Sequence, residues 1–119
     1  AISRYGGTVS FAPNFAYALT AKKVKEDDLN RWDLSCVRAA GCGAEPIHPD
    51  TIRTFTELFS TRCKLPTNAV LPAYGMAEAT LAISFKPVND TMRTNLVDAE
   101  SFQGQGVCSG PTDDNAILE

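Results

Sequence analysis

The sequence predicts an α/β fold in which helices flank a mostly parallel sheet. Short apolar or β-branched runs alternate with longer amphipathic segments in the order strand, helix, strand, helix, strand, and this order is typical of βαβ units. A length of 119 residues, of which 44% are hydrophobic and 21% charged, fits one small globular domain. We therefore expect residues 1–119 to form a single domain, with a βαβ core at 1–85 and an irregular, β-rich tail at 86–119.

The first strand and the first helix are predicted near the start of the chain. Residues 7–11 (GTVSF) are rich in strand-forming types and lie between Gly-Gly and a proline, which predicts a strand. Asn14 is a candidate N-cap for the helix that follows, because apolar positions then recur at helical spacing. This helix is expected to end before the charged run at residues 25–28.

The second βαβ unit is predicted from residues 35–73. Residues 35–40 (SCVRAA) and 69–73 (AVLPA) read as strands, and a helix begins between them with Pro49 in its first turn. His48 then lies where the chain enters the helix, which argues against a role as a catalytic base. One face of this helix is predicted to be apolar; it carries Ile52, Phe55, Leu58 and Phe59.

The remaining segments give weaker signals. Residues 79–85 (ATLAISF) fit either a strand or a buried helical turn, because periodicity does not separate the two for so short a run. Residues 94–97 (TNLV) predict a short strand, 103–106 (QGQG) a turn and 110–114 (GPTDD) a loop. The chain ends on the apolar run AILE without a terminating residue, so we expect it to be part of a larger protein.

Charge and hydropathy exclude some classes of partner. The formal net charge is −3, and the lysines near residue 25 are followed at once by acidic residues, so the sequence does not predict a nucleic-acid partner. No apolar run approaches the ~18 residues that a membrane span needs. The four cysteines lack CxxC spacing and are too sparse for a disulfide framework. We interpret them as reduced, mostly buried thiols of a cytoplasmic protein.

Two predicted strand ends carry residues suited to a nucleotide and a metal. Residues 41–46 (GCGAEP) and 73–78 (AYGMAE) each place glycine and then a carboxylate after a strand, where open parallel sheets bind ligands. Glycine allows close backbone approach, a carboxylate suits Mg²⁺, and Tyr74 offers a ring for stacking. The alternative is an ordinary pair of turns with solvated glutamates. The phosphate-loop, dinucleotide and GxSxG motifs do not occur.

Three segments together resemble a known family. YGMAEAT at 74–80, GCGAEPI at 41–47 and PNFAYAL at 13–19 are similar, in order and spacing, to motifs of the adenylate-forming superfamily of acyl-CoA synthetases and peptide-synthetase adenylation domains. The combination most resembles fatty-acyl-AMP ligases. The resemblance covers residues 1–85 well, and it implies a slice of the N-terminal adenylation domain.

The resemblance implies roles in nucleotide binding. Tyr74 would stack on the adenine of ATP or AMP. Glu78 would be the catalytic residue that holds Mg²⁺ on the ATP phosphates. The adenine edge would be lined, largely by backbone groups, by Gly43, Ala44, Glu45 and Pro46.

The resemblance also implies an acyl pocket. Asn14 and Phe15 would border the fatty acid, and Gly75, Met76 and Ala77 would lie near the α-phosphate or the acyl end. Many members of the superfamily have threonine where this chain has Ala77. The alanine removes one possible hydrogen bond to phosphate and is similar to the fatty-acyl-AMP branch.

The implied reaction converts a fatty acid and ATP into acyl-AMP and pyrophosphate. An acyl carrier protein or CoA would then accept the acyl group, and residues 86–110 could hold the ligase-specific insertion that disfavours CoA. The family's phosphate loop and catalytic-lysine domain are missing from this sequence, so we expect the isolated chain to be inactive. Apolar surfaces exposed in such a slice predict self-association. Two alternatives stay open, a non-catalytic nucleotide-binding module and a purely structural domain.

Overall fold

The structure is a computed structural model that describes residues 1–110 and 117–118. Its main sheet has four strands in the order β1-β2-β3-β4, of which the first three are parallel and the last is antiparallel. This confirms the predicted α/β class with a mostly parallel sheet flanked by helices. The elements are α1 (Ile2–Tyr5), β1 (Val9–Ala12), α2 (Asn14–Lys23), α3 (Glu26–Arg31), β2 (Ala39–Cys42), α4 (Pro49–Cys63), β3 (Val70–Tyr74), β4 (Ser84–Phe85), β5 (Val97–Asp98), α5 (Ala99–Gln105) and β6 (Ile117–Leu118).

The core lies between the sheet and the pair of helices α2 and α4. Phe59, which is 1% exposed, is packed at its centre. Phe55 connects the two helices, since its ring centroid lies 4.9 Å from that of Tyr17 and 4.5 Å from that of Phe59. Every residue of β2 is buried, as expected for the inner strand of a parallel sheet. The carboxyl ends of β2 and β3 are thereby fixed by a packed scaffold.

Helix α4 follows the prediction closely. It begins at Pro49, and His48 is the residue before its first turn. Ile52 and Phe59 are buried, whereas Arg53 and Glu57 are exposed. The helix ends at Cys63, and the C-cap residue Lys64 adopts a left-handed conformation with φ 59°. The apolar face that the sequence predicts is therefore the face that packs on the sheet.

The predicted N-cap of α2 is wrong. Asn14 is the first helical residue, and Pro13 holds the cap position without a side-chain hydrogen bond. The Asn14 side chain is instead buried, and its Oδ1 accepts a hydrogen bond from the backbone N–H of His48 at 3.2 Å. A long-range contact thus takes the place of the local cap.

The strand boundaries shift toward the carboxyl terminus. β1 covers 9–12 rather than 7–11, and β3 covers 70–74 rather than 69–73. The largest shift is in β2, which begins at Ala39 and ends at Cys42, whereas 35–40 was expected. The cause is a turn in which Oδ1 of Asp33 accepts hydrogen bonds from the N–H and the Oγ–H of Ser35.

Two helices in the first half were missed. The charged run at 25–28 opens helix α3, whose first turn contains Glu26, Asp27 and Asp28. Acidic residues at a helix N-terminus are stabilising because their negative charge is attracted to the positive end of the helix dipole. Leu29 is the buried residue of α3 and belongs to the core. The four-residue helix α1 has no buried residue, so no apolar pattern marks it.

The tail is less β-rich than expected. Residues 94–97 give only the two-residue β5, which begins at Val97. The predicted turn at 103–106 is mostly helix, since α5 ends at Gln105 and its C-cap Gly106 has φ 69°. Asp98 caps α5 by accepting a hydrogen bond from the N–H of Ser101 at 2.8 Å. Of the predicted loop at 110–114, positions 111–114 lie outside the described residues.

The Asp33 turn predicts an acid-sensitive step in stability. Hydrogen bonds from Ser35 and Lys64 hold the pKa of the Asp33 carboxyl well below its usual range. Since the unfolded value is about 3.9, the stabilisation is present above that pH and is lost as the pH falls toward the folded value. We expect Asp33→Asn to lower the urea midpoint at pH 6, and the difference from wild type to shrink at pH 3. A difference that is equal at both pH values would contradict this, and Glu57→Gln, at an exposed position in the interior of α4, is the control.

Candidate functional site

The structure brings the two glycine-carboxylate segments together at one edge of the sheet. β2 and β3 are neighbouring parallel strands in which Cys42 pairs with Pro72, so the turns that follow them leave the sheet side by side. A β-carbon added to Gly43 would lie 2.7 Å from the carbonyl oxygen of Ala73. The segments touch at backbone level, and glycine is the residue that permits this approach.

The segment after β3 folds back on itself. The N–H of Ile83 donates to the carbonyl of Tyr74 at 2.9 Å, and a β-carbon added to Gly75 would lie only 1.7 Å from the Leu81 oxygen. A 3₁₀ turn at Ala77–Ala79 carries Glu78 between these points. The open alternative for residues 79–85 is thereby decided: they form the end of this turn and the short strand β4, and all are exposed.

The candidate nucleotide-binding side chains face solvent at this turn. Tyr74 ends β3 and is 60% exposed. Met76, Ala77 and Glu78 are exposed as well. A ring that is anchored by a strand and open on one side is suited to stacking on a base.

The segment after β2 is held in an unusual conformation. Ala44 has φ 67°, a left-handed backbone that is uncommon for residues other than glycine and that often marks functional sites. Glu45 follows, and its Oε1 accepts a hydrogen bond of 2.6 Å from the N–H of Phe15. Glu45, which the resemblance places at the adenine edge largely through its backbone, thus turns its carboxylate to helix α2, while Pro46 is exposed.

The candidate acyl-pocket residues lie on the first turn of α2 in different environments. Asn14 is 6% exposed, whereas Phe15 is 60% exposed. Tyr17, which sequence reasoning did not single out, donates from its hydroxyl to the carbonyl of Gly41 at 2.8 Å. Burial raises the pKa of the Tyr17 phenol, which keeps it protonated as a donor. Its place three residues after Asn14 on the same helix was the available signal.

Glu78 is the candidate metal ligand at this turn, and one carboxylate limits the kinds of metal site that it can form. Among the described residues, no group of three or more His, Cys, Asp or Glu side chains could enclose a metal ion. Mg²⁺ is commonly held by one or two carboxylates together with substrate phosphates and water. Glu78 therefore fits an ion shared with a bound triphosphate.

The buried thiol beside the site is unsuited to act as a nucleophile. Cys42 ends β2 and is fully buried. Burial, and secondarily the charge of Glu45, raises its pKa to about 11. The thiolate is the reactive form of cysteine, so Cys42 is a packing residue. Cys36 is half-buried, Cys63 is buried and Cys108 is exposed.

A cavity of about 440 Å³ opens beside Tyr74. β3 and β4 form one wall, and the segment 86–93 forms another. The Lys86 ammonium holds this segment by donating to the carbonyl of Asn68 at 2.9 Å. Ile47, the residue after the 41–46 segment, also lines the cavity. The cavity therefore lies next to both glycine-carboxylate segments. The sequence missed this wall because no motif marks residues 86–93.

Comparisons with known proteins match the sequence of this chain to a family. The family described as AMP-binding enzyme matches residues 1–107. The long-chain-fatty-acid–AMP ligase FadD23 of Mycobacterium tuberculosis is 45% identical over 83 residues, which cover 70% of this chain and 14% of that protein. The medium-chain-fatty-acid–[acyl-carrier-protein] ligase TtuA of Teredinibacter turnerae is 35% identical over 115 residues, covering 97% and 18%.

A solved structure supports the same assignment. It comes from a study of fatty acyl-adenylate ligases from E. coli and L. pneumophila, is 39% identical and superposes with a TM-score of 0.88. The match covers 98% of this chain and 21% of that one. The chain thus spans about a fifth or less of the length of these three relatives. With the family matching residues 1–107, this chain belongs to the AMP-binding enzymes.

Proposed function

We propose that this chain is part of the N-terminal adenylation domain of a fatty-acid-adenylating ligase. The proposed reaction joins a fatty acid and ATP to give acyl-AMP and pyrophosphate. The observation that carries it is the meeting of the 41–46 and 73–78 segments at the carboxyl ends of β2 and β3. The names of the relatives FadD23 and TtuA support fatty acids as the substrate class.

The described residues suit the nucleotide half of this reaction. We infer that Tyr74 stacks on adenine, while backbone groups of Gly43, Ala44, Glu45 and Pro46 line the edge of the base. Gly75, Met76 and Ala77 lie close to the α-phosphate in this proposal. Ala77 offers no hydroxyl, so phosphate contacts there come from the backbone.

Glu78 is the proposed Mg²⁺ ligand. When bound, Mg²⁺ offsets charge on the triphosphate and on the leaving pyrophosphate. Glu78 would hold the ion at the end of β3, where its exposed side chain leaves room for a bound triphosphate. Asn14 and Phe15 border the acyl group, whose carboxylate oxygen attacks the α-phosphorus as the bond to pyrophosphate breaks.

An exchange assay tests this proposal. The full-length protein that carries this sequence is incubated with ATP, Mg²⁺, labelled pyrophosphate and fatty acids of graded length. We expect label to enter ATP only when a fatty acid is present. Nucleotide binding without exchange would favour the alternative, a non-catalytic nucleotide-binding module.

The acyl acceptor is proposed to be an acyl carrier protein or CoA. The name of TtuA supports a carrier protein. Both acceptors are thiols, so the adenylate would lose AMP as the thioester bond forms. Parallel assays with holo-carrier protein and with CoA, each followed by mass spectrometry of the thioester, distinguish them. Formation of neither thioester would contradict this second step.

We also propose that the chain self-associates through an apolar surface on β1. Val9 and Phe11 are 59% and 64% exposed and alternate onto one sheet face, although parallel sheets are normally covered on both faces. We expect concentration-dependent dimers or larger species in sedimentation velocity, reduced by Phe11→Ser but not by the exposed control Thr8→Ser. A monomer at all concentrations would contradict this.

A cytoplasmic location is a further proposal. It is supported by the unpaired state of Cys36, Cys42, Cys63 and Cys108 in the structure, because free thiols are typical of reducing compartments. None of the helices in the described part of the chain has the length and apolar character of a membrane span. Cell fractionation tests the location, and recovery with membranes or in the medium would contradict it.

A further inference from the structure

Two hydrogen bonds join the helix that carries the candidate acyl residues to the segment assigned to adenine. Glu45 Oε1 accepts from the N–H of Phe15 at 2.6 Å, and Asn14 Oδ1 accepts from the N–H of His48 at 3.2 Å. Each side thus supplies one backbone donor and one side-chain acceptor. We call these four residues the clasp. It spans 30 to 34 residues of sequence.

The clasp supplies what helix α2 lacks locally. The first N–H groups of a helix have no partner inside it, and the cap residue Pro13 makes no side-chain hydrogen bond. The Glu45 carboxylate provides this partner, with a charge that the helix N-terminus favours. If the Glu45 side chain adopted a different rotamer, the N–H of Phe15 would lose its hydrogen-bond acceptor.

The clasp also restrains the segment after β2. Ala44 directly precedes Glu45 and holds a left-handed conformation at φ 67°. Asn14 is buried while it accepts from His48, so the far end of the segment is fixed from inside the molecule. A change in this segment therefore displaces the first turn of α2, and the reverse also holds.

We propose that the clasp couples fatty-acid binding to nucleotide binding, with Glu45 as a positioning residue for the acyl site. This rests on the proposed function, because it takes α2 as an acyl wall and residues 43–46 as an adenine wall. Binding of the nucleotide favours one position of residues 43–46, and the clasp transmits that position to Asn14 and Phe15. Because binding linkage is reciprocal, bound fatty acid tightens nucleotide binding by the same factor.

The kinetic test uses Glu45→Ala in the full-length protein. We expect the KM for fatty acid to rise about tenfold, the effect of losing one charge-assisted hydrogen bond at a partly screened site, with a smaller change in kcat. Glu45→Gln keeps an oxygen acceptor and should recover part of the loss. The matched control is Glu57→Ala, which removes an exposed glutamate from α4.

The coupling itself is measured by binding. Affinity for a non-hydrolysable ATP analogue is determined with and without fatty acid. We expect the ratio to fall toward one in Glu45→Ala and to persist in Glu57→Ala. A Glu45→Ala enzyme that changes only the KM for ATP and keeps the ratio would overturn the coupling.

A structural readout separates this inference from the proposed function. In NMR spectra of the full-length protein, the Phe15 amide proton should shift and exchange faster in Glu45→Ala, while the amides of α5 stay unchanged. An unchanged Phe15 amide would overturn the clasp. A full-length wild type without exchange activity but with the expected amide shift would instead overturn the proposed function, and with it the coupling of these two substrates.

Discussion

Gly75→Ala is expected to disrupt the turn after β3 and to weaken nucleotide binding strongly. The added β-carbon would lie 1.7 Å from the Leu81 oxygen and 2.8 Å from its carbonyl carbon. Both are backbone atoms, so rotation of a side chain does not relieve the clash. The turn must open, which weakens or breaks the hydrogen bond from the N–H of Ile83 to the carbonyl of Tyr74. Overpacking of this kind costs about 1–3 kcal/mol, equivalent to a roughly 5- to 150-fold loss of affinity if the cost falls on the bound conformation.

Gly104→Ala is the matched control for this change. Nothing lies within 4 Å of a β-carbon added to Gly104, and the residue is inside helix α5, where alanine is favoured over glycine by about 0.5–1 kcal/mol. We expect a small gain in the free energy of unfolding for Gly104→Ala and a loss for Gly75→Ala. Affinity for an ATP analogue is measured on the full-length protein. Wild-type affinity in Gly75→Ala would show that the turn is not a wall of the nucleotide site.

The elements that the sequence predicts well are those whose signals are local. Helix α4 has a proline in its first turn and an apolar face, and both features act within the helix itself. The three parallel strands follow from the alternation of apolar runs and helices. The meeting of the two glycine-carboxylate segments follows in turn, because neighbouring parallel strands end at the same edge of a sheet.

The elements that the sequence missed depend on contacts between distant residues. Asn14 has the residue type of an N-cap, but its side-chain oxygen accepts a hydrogen bond from the N–H of His48 instead. Glu45 has the residue type of a solvated turn residue, and only the folded chain places it against Phe15. The sequence pattern predicts Ser35 in a strand, whereas its N–H donates to the Asp33 carboxylate in a turn. In each case several hydrogen-bond partners are available to a polar side chain. The sequence pattern alone does not show which of these partners it binds in the folded chain.

Glu78→Gln is expected to lower the rate of acyl-adenylate formation in the full-length protein by about 100-fold or more, because metal stabilisation of transition-state charge is worth several kcal/mol. The amide keeps the size of the side chain but removes the charge that attracts Mg²⁺. We expect a rise in the Mg²⁺ concentration needed for half-maximal rate, while affinity for adenosine alone stays unchanged. Glu100→Gln is the control, since Glu100 is exposed on α5.

The pattern of these changes separates the roles that an exposed carboxylate at this turn could have. If Glu78 only shaped the 3₁₀ turn at Ala77–Ala79, Glu78→Gln would alter adenosine binding as much as the Mg²⁺ requirement. If Glu78 were a solvated residue without a ligand, neither quantity would change. Only a metal ligand shifts the Mg²⁺ dependence by itself, because the substitution then alters the ion's affinity without moving Tyr74 at the end of β3. Mg²⁺-dependent turnover at the wild-type level would therefore remove Glu78 from the proposed site.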